Sequence, residues 1–236
     1  MLPDALLNIV SSALEFGAMI ALSLTLFRLP IRYNISRIAF ISIVLSIVYY
    51  FFVYTTELKQ FPVLLTVLMV YTILIVLLMN LPFFYSLSLC FIGYLAGTVI
   101  EVPVTLIGIQ LGLTTVELTE TSAIHMTMIK LVSTVFIGLL AYWLQARKIG
   151  FMFILNRITF KESLKGYNFY ISALLVVGLV FMQFVSMSFA LTSIHKYFLG
   201  GLVIILLLSI FLSYRQNKKV IKEKYERLGR RKYERN

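Results

Sequence analysis

Residues 28–37, Arg28-Leu29-Pro30-Ile31-Arg32-Tyr33-Asn34-Ile35-Ser36-Arg37, set three arginines and a helix-breaking proline between two apolar runs. The run before them covers 5–27 and the run after them 38–56. Each is near the roughly 20 residues that a hydrocarbon core about 30 Å thick demands of a spanning helix. Lys and Arg in short loops favour the cytoplasmic side, so the arginine link assigns this turn to the cytoplasm and both flanking helices to the bilayer. Working outward, further apolar runs at 61–79, 83–109, 124–145, 167–190 and 197–214 bring the total to seven. Threaded from an outside N-terminus, they collect eighteen of the 21 Lys and Arg residues in the cytoplasm: three in this link, five at Arg147, Lys148, Arg157, Lys161 and Lys165, and ten after Tyr214. Lys59 and Lys196 are left outside, and Lys130 lies inside a span. The opposite threading would reverse the bias. The expected fold is therefore an all-α integral membrane protein, a bundle of about seven transmembrane helices, N-out and C-in.

Composition agrees. With 60% hydrophobic residues and a mean hydropathy of +0.94, the chain has too little polar surface to coat a water-soluble globule. Two units are expected, a polytopic transmembrane domain over 1–214 and a basic cytoplasmic helical tail over 215–236. The formal charge of +11 is concentrated at loop ends and in that tail, where anionic membrane lipid is the natural partner and nucleic acid is not expected. The start, Met1-Leu2-Pro3-Asp4, lacks the positive region of a cleavable signal peptide, so the first run is expected to be retained as a span. Pro30 is expected to end that first helix.

Within the apolar stretch 61–109, Asn80-Leu81-Pro82 reads as a break between two helices. Glu57-Leu58-Lys59-Gln60 makes a tight outer hairpin, and the outer loop from 110 to 123 carries Glu117 and Glu120 among Thr114, Thr115, Thr119 and Thr121. In the inner loop, Phe151-Met152-Phe153-Ile154-Leu155 lies between basic residues. It fits either a short interfacial helix or a continuation of the fifth span with Arg147 and Lys148 snorkelling. In the tail, Ile221, Tyr225 and Leu228 form a short apolar stripe, consistent either with a two-helix stalk, and so a homodimer, or with adsorption to the inner leaflet.

Charged side chains at membrane depth are costly enough to be paired, turned inward or functional. Three occur here: Glu15, Glu101 and Lys130. At the helical rise of about 1.5 Å per residue, Glu101 lies roughly 12 Å and Lys130 roughly 9 Å inside the outer ends of their spans, with Gln183 at about 10 Å. His125 tops the fifth span near the outer interface, and Glu15 lies closer to the midplane. The candidate ligand-binding set is therefore Glu15, Glu101, His125, Lys130 and Gln183, biased to the outer half. A structural Glu101–Lys130 pair, a ligand pocket and an ion or proton pathway all fit these residues, and Glu15 also fits a protonated acid hydrogen-bonded to a neighbouring helix. In the fourth span, Gly93 and Gly97 have the four-residue spacing that lets helices approach closely, while Pro103 allows a hinge.

Enzymatic readings find little to build on. A Cys–His dyad would need Cys90 and His125 together, yet the threading puts them toward opposite faces. His125 and His195 have no further ligands at metal spacing, and the single cysteine forms no cluster, so no metal or cofactor is expected.

The turn Arg28-Leu29-Pro30-Ile31-Arg32-Tyr33, the segment Leu81-Pro82-Phe83-Phe84-Tyr85-Ser86 with Gly93-Tyr94, and the charged helix expected after Tyr214 together resemble one known architecture. It is the membrane sensor region of peptide-pheromone receptor histidine kinases of the accessory gene regulator type. The resemblance implies a bacterial plasma membrane, six or seven spans, an extracellular peptide ligand and a helix that carries the signal to a cytoplasmic histidine kinase. No phosphoacceptor histidine or ATP-binding segment precedes Asn236, so catalysis would lie in a partner, a histidine kinase or response regulator. The expected function is a non-enzymatic receptor or sensor module. The substrate-binding membrane subunit of a small-molecule transporter, and a structural or immunity membrane protein, remain alternatives; against the transporter, the sequence shows no internal repeat with paired broken helices.

Overall fold

The computed structural model describes residues 2–54, 60–147, 177–178, 197, 200–208, 211 and 215. Its elements are α1 (Leu2–Leu26), a 3-10 turn (Arg32–Asn34), α2 (Ile35–Tyr54), α3 (Gln60–Met79), α4 (Phe83–Gln110), α5 (Val116–Thr121) and α6 (Ala123–Ala146). The backbone is also helical over 200–208, and there is no strand among the described residues. Asp4–Leu26, Arg32–Val53, Tyr85–Gln110 and Ala123–Ala146 are each long and apolar enough to cross a membrane, and Val63–Met79 is a shorter apolar helix. Helices of this length and composition mark a membrane protein.

The first five apolar runs correspond to α1, α2, α3, α4 and α6 with ends that differ by a few residues. Isolated helical positions at 177, 178, 197, 211 and 215 and the stretch 200–208 fall in the last two runs and at the start of the tail. The rest of those runs, Gln183, the 151–155 patch and residues 216–236 lie outside the described residues.

Local chemistry sets the helix ends. α1 does not run on to Pro30: it closes at Leu26 with Arg28 in the left-handed region (φ 53°), where the Leu29 amide donates to the Leu24 carbonyl at 2.8 Å and the Arg28 amide to Thr25 at 3.0 Å. That pair of bonds is the Schellman pattern, which caps carbonyls the helix leaves open. The same device closes α4. Gly112 has φ 69°, the Leu113 amide reaches the Gly108 carbonyl at 3.0 Å, and the Gly112 amide reaches Ile109 at 3.1 Å. At the end of α3, Asn80 takes φ 54°, which asparagine tolerates better than most residues, and Pro82 then stands as the N-cap of α4. The Asn80-Leu81-Pro82 break is thus a helix-to-helix turn. α5 was not foreseen: the Thr115 hydroxyl accepts the Leu118 amide at 3.2 Å and Glu117 sits in the first turn, so part of the polar loop winds into helix.

α1 is the axis of the bundle, packing against α2, α4 and α6. Its apolar span is 61% buried, against 17% for the span in α6, so α6 turns a broad apolar face outward. Close approach of α4 depends on glycine. A Cβ at Gly93 would collide with the Ser23 side chain, and one at Gly97 would lie 2.8 Å from Met19 Cγ. Ser23 opposite Gly93 and Met19 opposite Gly97 define an antiparallel α1–α4 crossing, with Gly17 of α1 facing Ser42 of α2 on another side. Ile20, Leu22, Leu24, Leu45, Ile75, Leu89 and Leu95 fill the interior, and Phe16 meets Tyr49 edge-on at 6.0 Å. A Cβ at Gly178 would come within 2.6 Å of the Phe91 ring, so the 167–190 run touches α4 there.

Charge is segregated between the two ends. Exposed Arg28, Arg32, Arg37 and Arg147 gather with exposed Tyr33, Tyr142 and Trp143 at one end, where arginine and aromatic side chains suit a membrane–water interface. The other end carries exposed Asp4 and Glu117 and the short helix α5.

Candidate functional site

Along α1, Asn8, Ser11, Ser12 and Glu15 recur at three- and four-residue intervals, which places them on one stripe of the helix. All four are buried. The crossing register then selects what Glu15 faces. Ser23 lies against Gly93 and Met19 against Gly97, so one further turn toward the N-terminus of α1 brings Glu15 opposite Glu101 of α4. The two carboxyl groups lie close enough to act on one another electrostatically, and both act on Lys130 of α6. Tyr94, two turns deeper on α4, also feels both acids. Three of the five residues expected to form a site are therefore brought together.

Lys130 is 4% exposed, and its direct partner is neither acid. Its ammonium donates to Ser12 Oγ at 2.8 Å and sits 5.2 Å from the centre of the Tyr49 ring on α2, within cation–π range. A hydrogen bond from a charged donor contributes about 1.5–3 kcal/mol, so Ser12 is the contact that fixes the lysine, while Glu15 and Glu101 supply longer-range charge. A Glu101–Lys130 pair is one of the readings that the sequence leaves open; the structure groups Glu15, Glu101 and Lys130 from three helices. Glu101 is half-buried, and its backbone carbonyl accepts the Thr105 hydroxyl at 3.0 Å.

Among the described residues, four buried polar atoms on the stripes of α1 and α6 have no hydrogen-bond partner: Asn8 Oδ1, Glu15 Oε1, Thr127 Oγ1 and Ser133 Oγ. Thr127 and Ser133 lie one turn to either side of Lys130. Asn8 and Thr127 stand on the α5 side of the Ser12–Lys130 contact, because the antiparallel crossing puts the N-terminus of α1 at the end where α4 leads into α5. The arrangement is a buried ladder of polar groups descending from that end to a charged triad, with apolar side chains such as Phe16 and Val102 around it. Chemically it can hold a charged or multiply hydrogen-bonding group away from water.

His125 is the third residue of α6 and half-buried; Lys130 is five positions further on, about 140° around the helix, so His125 lies on a different face. Gln183 is outside the described residues. Cys90 is buried in α4 about 30 Å of helix rise from the α5 end, so it and His125 do not meet. Among the described residues, no three His, Cys, Asp or Glu side chains come together as a metal site.

Ser12 and Tyr49 escaped the sequence reading. The first was legible as part of the polar 8–11–12–15 spacing on an otherwise apolar helix. Tyr49 had no such signal, since it is one of several aromatics at the end of α2. In comparison with known proteins, no family model, curated protein or solved structure is significantly similar to this chain.

Proposed function

We propose that this chain is a receptor of the bacterial plasma membrane, a non-enzymatic sensor module in the manner of the accessory gene regulator type. An external ligand, a peptide on this reading, engages the Glu15–Glu101–Lys130 triad. The response shifts α4 and α6 against α1 and leaves through the basic tail to a cytoplasmic histidine kinase or response regulator. The single observation that carries the proposal is the buried Lys130 ammonium, held by Ser12 at 2.8 Å beside two acids within an apolar bundle. An inert bundle gains nothing from such a group, because replacing a buried ionic cluster by well-packed apolar side chains is neutral or stabilising in many proteins. Ionisable groups at membrane depth therefore point to function by default.

The seven-span, N-out threading belongs to the same proposal. It places the arginine end in the cytoplasm and the α5 end outside, so the polar ladder opens toward the exterior. Photocrosslinking in cells from positions 225 and 228 of the tail, followed by mass spectrometry, tests the output. Capture of a soluble histidine kinase or response regulator is the expected result. Capture of a transport ATPase or its coupling subunit would overturn the receptor in favour of a transporter's substrate-binding subunit.

A further inference from the structure

The triad contains two carboxyl groups and one ammonium, so one carboxyl is left without a counter-charge of its own. The cost of an unpaired ion in a low-dielectric interior is too large to leave unmet. Lys130 is already committed, to Ser12 by a 2.8 Å hydrogen bond and to the face of Tyr49. Glu15 is 6% exposed, and its Oε1 atom has no hydrogen-bond partner among the described residues. The unfilled atoms along the ladder are weighted toward acceptors. Glu15 Oε1 accepts at the level of Glu101, while Asn8 Oδ1 accepts two turns nearer the α5 end, about 10 Å of helix rise away, so the two mark successive positions along the ladder rather than one set of partners. A proton alone would cancel the charge on one carboxyl but would bring a single donor. A primary ammonium brings a full positive charge and three donors, with no acceptor to be satisfied in return.

We infer that Glu15, faced by Glu101, is the binding site for a primary ammonium group, which reaches it from the α5 end past Asn8, Thr127 and the Ser12–Lys130 contact. The inference deepens the receptor reading by naming the ligand's recognised group, and it rests on that reading only for the side of entry. The amine belongs either to a peptide or to a small free molecule, and the chemistry of recognition is the same. Glu101 is the residue that creates the demand: without it, Glu15 and Lys130 balance one another and no external cation is required.

The full-length protein in membrane vesicles, treated with dicyclohexylcarbodiimide and analysed by mass spectrometry, gives the test. The reagent modifies protonated carboxyl groups in apolar surroundings, so the empty site should be labelled at Glu15, and Glu15→Gln should remove that label. An amine also couples to a carbodiimide-activated carboxyl, releasing dicyclohexylurea, so the readout is total modification of Glu15, acylurea and amide adducts counted together. Benzylammonium near ten times its dissociation constant should lower that total about tenfold, by occupancy alone, whereas neutral benzyl alcohol should leave it unchanged. A second arm uses the peptide amine phenylalanyl-phenylalaninamide. Protection by both compounds means that the ammonium group suffices, and protection by the peptide alone assigns the site to peptide ligands. In Glu101→Gln, Glu15 pairs with Lys130, so both the labelling and the amine effect should be lost. Equal protection by benzyl alcohol, labelling indifferent to both amines, or no label at Glu15 in the amine-free protein would each overturn the inference. These outcomes are separate from those of tail crosslinking. Amine protection together with capture of a transport ATPase keeps this site and rejects the receptor, while kinase capture without protection does the reverse.

Discussion

Lys130 is held by one short hydrogen bond and two longer-range charges, so its neighbours should contribute unequally when removed singly. Ser12→Ala deletes the direct acceptor and is expected to lower stability by about 1.5–3 kcal/mol, read as a lower thermal midpoint of the purified protein in detergent. Lys130→Ala removes the only cation of the triad and leaves both acids uncompensated. It is expected to cost more, about 3–5 kcal/mol by analogy with broken buried pairs. Adding Glu101→Ala to Lys130→Ala should return part of that loss, and the double-mutant cycle should give a coupling of about 0.5–3 kcal/mol. Additive losses would mean that the two groups do not interact. If the double change restores accumulation and ligand response alike, the triad is structural; the receptor proposal expects stability to recover while the response does not. Glu15, Glu101 and Lys130 stand out in the sequence because a charged letter in an apolar run is rare. Ser12 does not, since serine is common in such runs, as Ser11, Ser23, Ser42 and Ser46 show. The hydrogen-bond partner of a buried lysine depends on which helices cross, and a single chain's spacing does not contain that.

Two glycines in α4 and its exit turn should fail for different reasons. A methyl group at Gly112 would meet nothing within 4 Å, so Gly112→Ala is expected to cost only the left-handed backbone penalty, about 1–2 kcal/mol. At Gly93 the helix backbone suits any residue, but the added carbon would occupy the space of the Ser23 side chain and lie 3.3 Å from the Met19 carbonyl oxygen. Gly93→Ala is therefore expected to push α1 from α4 and cost about 1–3 kcal/mol. Ser23→Gly should recover part of that loss and should do nothing for Gly112→Ala. Equal rescue of both would remove the packing explanation. Because the crossing register sets Glu15 opposite Glu101, Gly93→Ala should also change carbodiimide labelling of Glu15, while Gly112→Ala should not. The helices themselves were legible from long apolar runs and from Asn80-Leu81-Pro82, and the Gly93–Gly97 spacing marked the close-packed face correctly. The end of α1 was misjudged because proline is the conspicuous breaker, whereas the operative cap uses Arg28, a residue with no special left-handed preference. α5 was missed because its six residues are polar and show no apolar periodicity.

At the scale of the molecule, the two ends differ in charge, and the orientation follows if the arginine end faces the cytoplasm. Exposed Arg28, Arg32, Arg37 and Arg147 lie at one end, and Asp4 and Glu117 lie at the other. The bias of Lys and Arg in short loops is what insertion reads, with acidic residues counting for little. Tyr33 and Leu113, 88% and 70% exposed at opposite ends, are the natural reporters because neither packs in the core. Cys90 is the chain's one cysteine and is buried, so Cys90→Ser supplies a silent background in which single cysteines can be placed. In intact cells, a membrane-impermeant maleimide should modify Leu113→Cys and spare Tyr33→Cys until the membrane is permeabilised. The opposite pattern would put the α5 end in the cytoplasm, turn the polar ladder inward and remove external ligand entry along with the receptor proposal. Labelling of both sites in intact cells would mean that the arginine link does not stay inside. A charge-reversed control separates cause from coincidence: Arg28, Arg32 and Arg37 changed together to Glu should weaken or invert the Tyr33→Cys protection if these arginines fix the topology. Protection that survives this change would assign orientation to the later basic loops instead, and α1 would then be threaded by its neighbours rather than by its own flank.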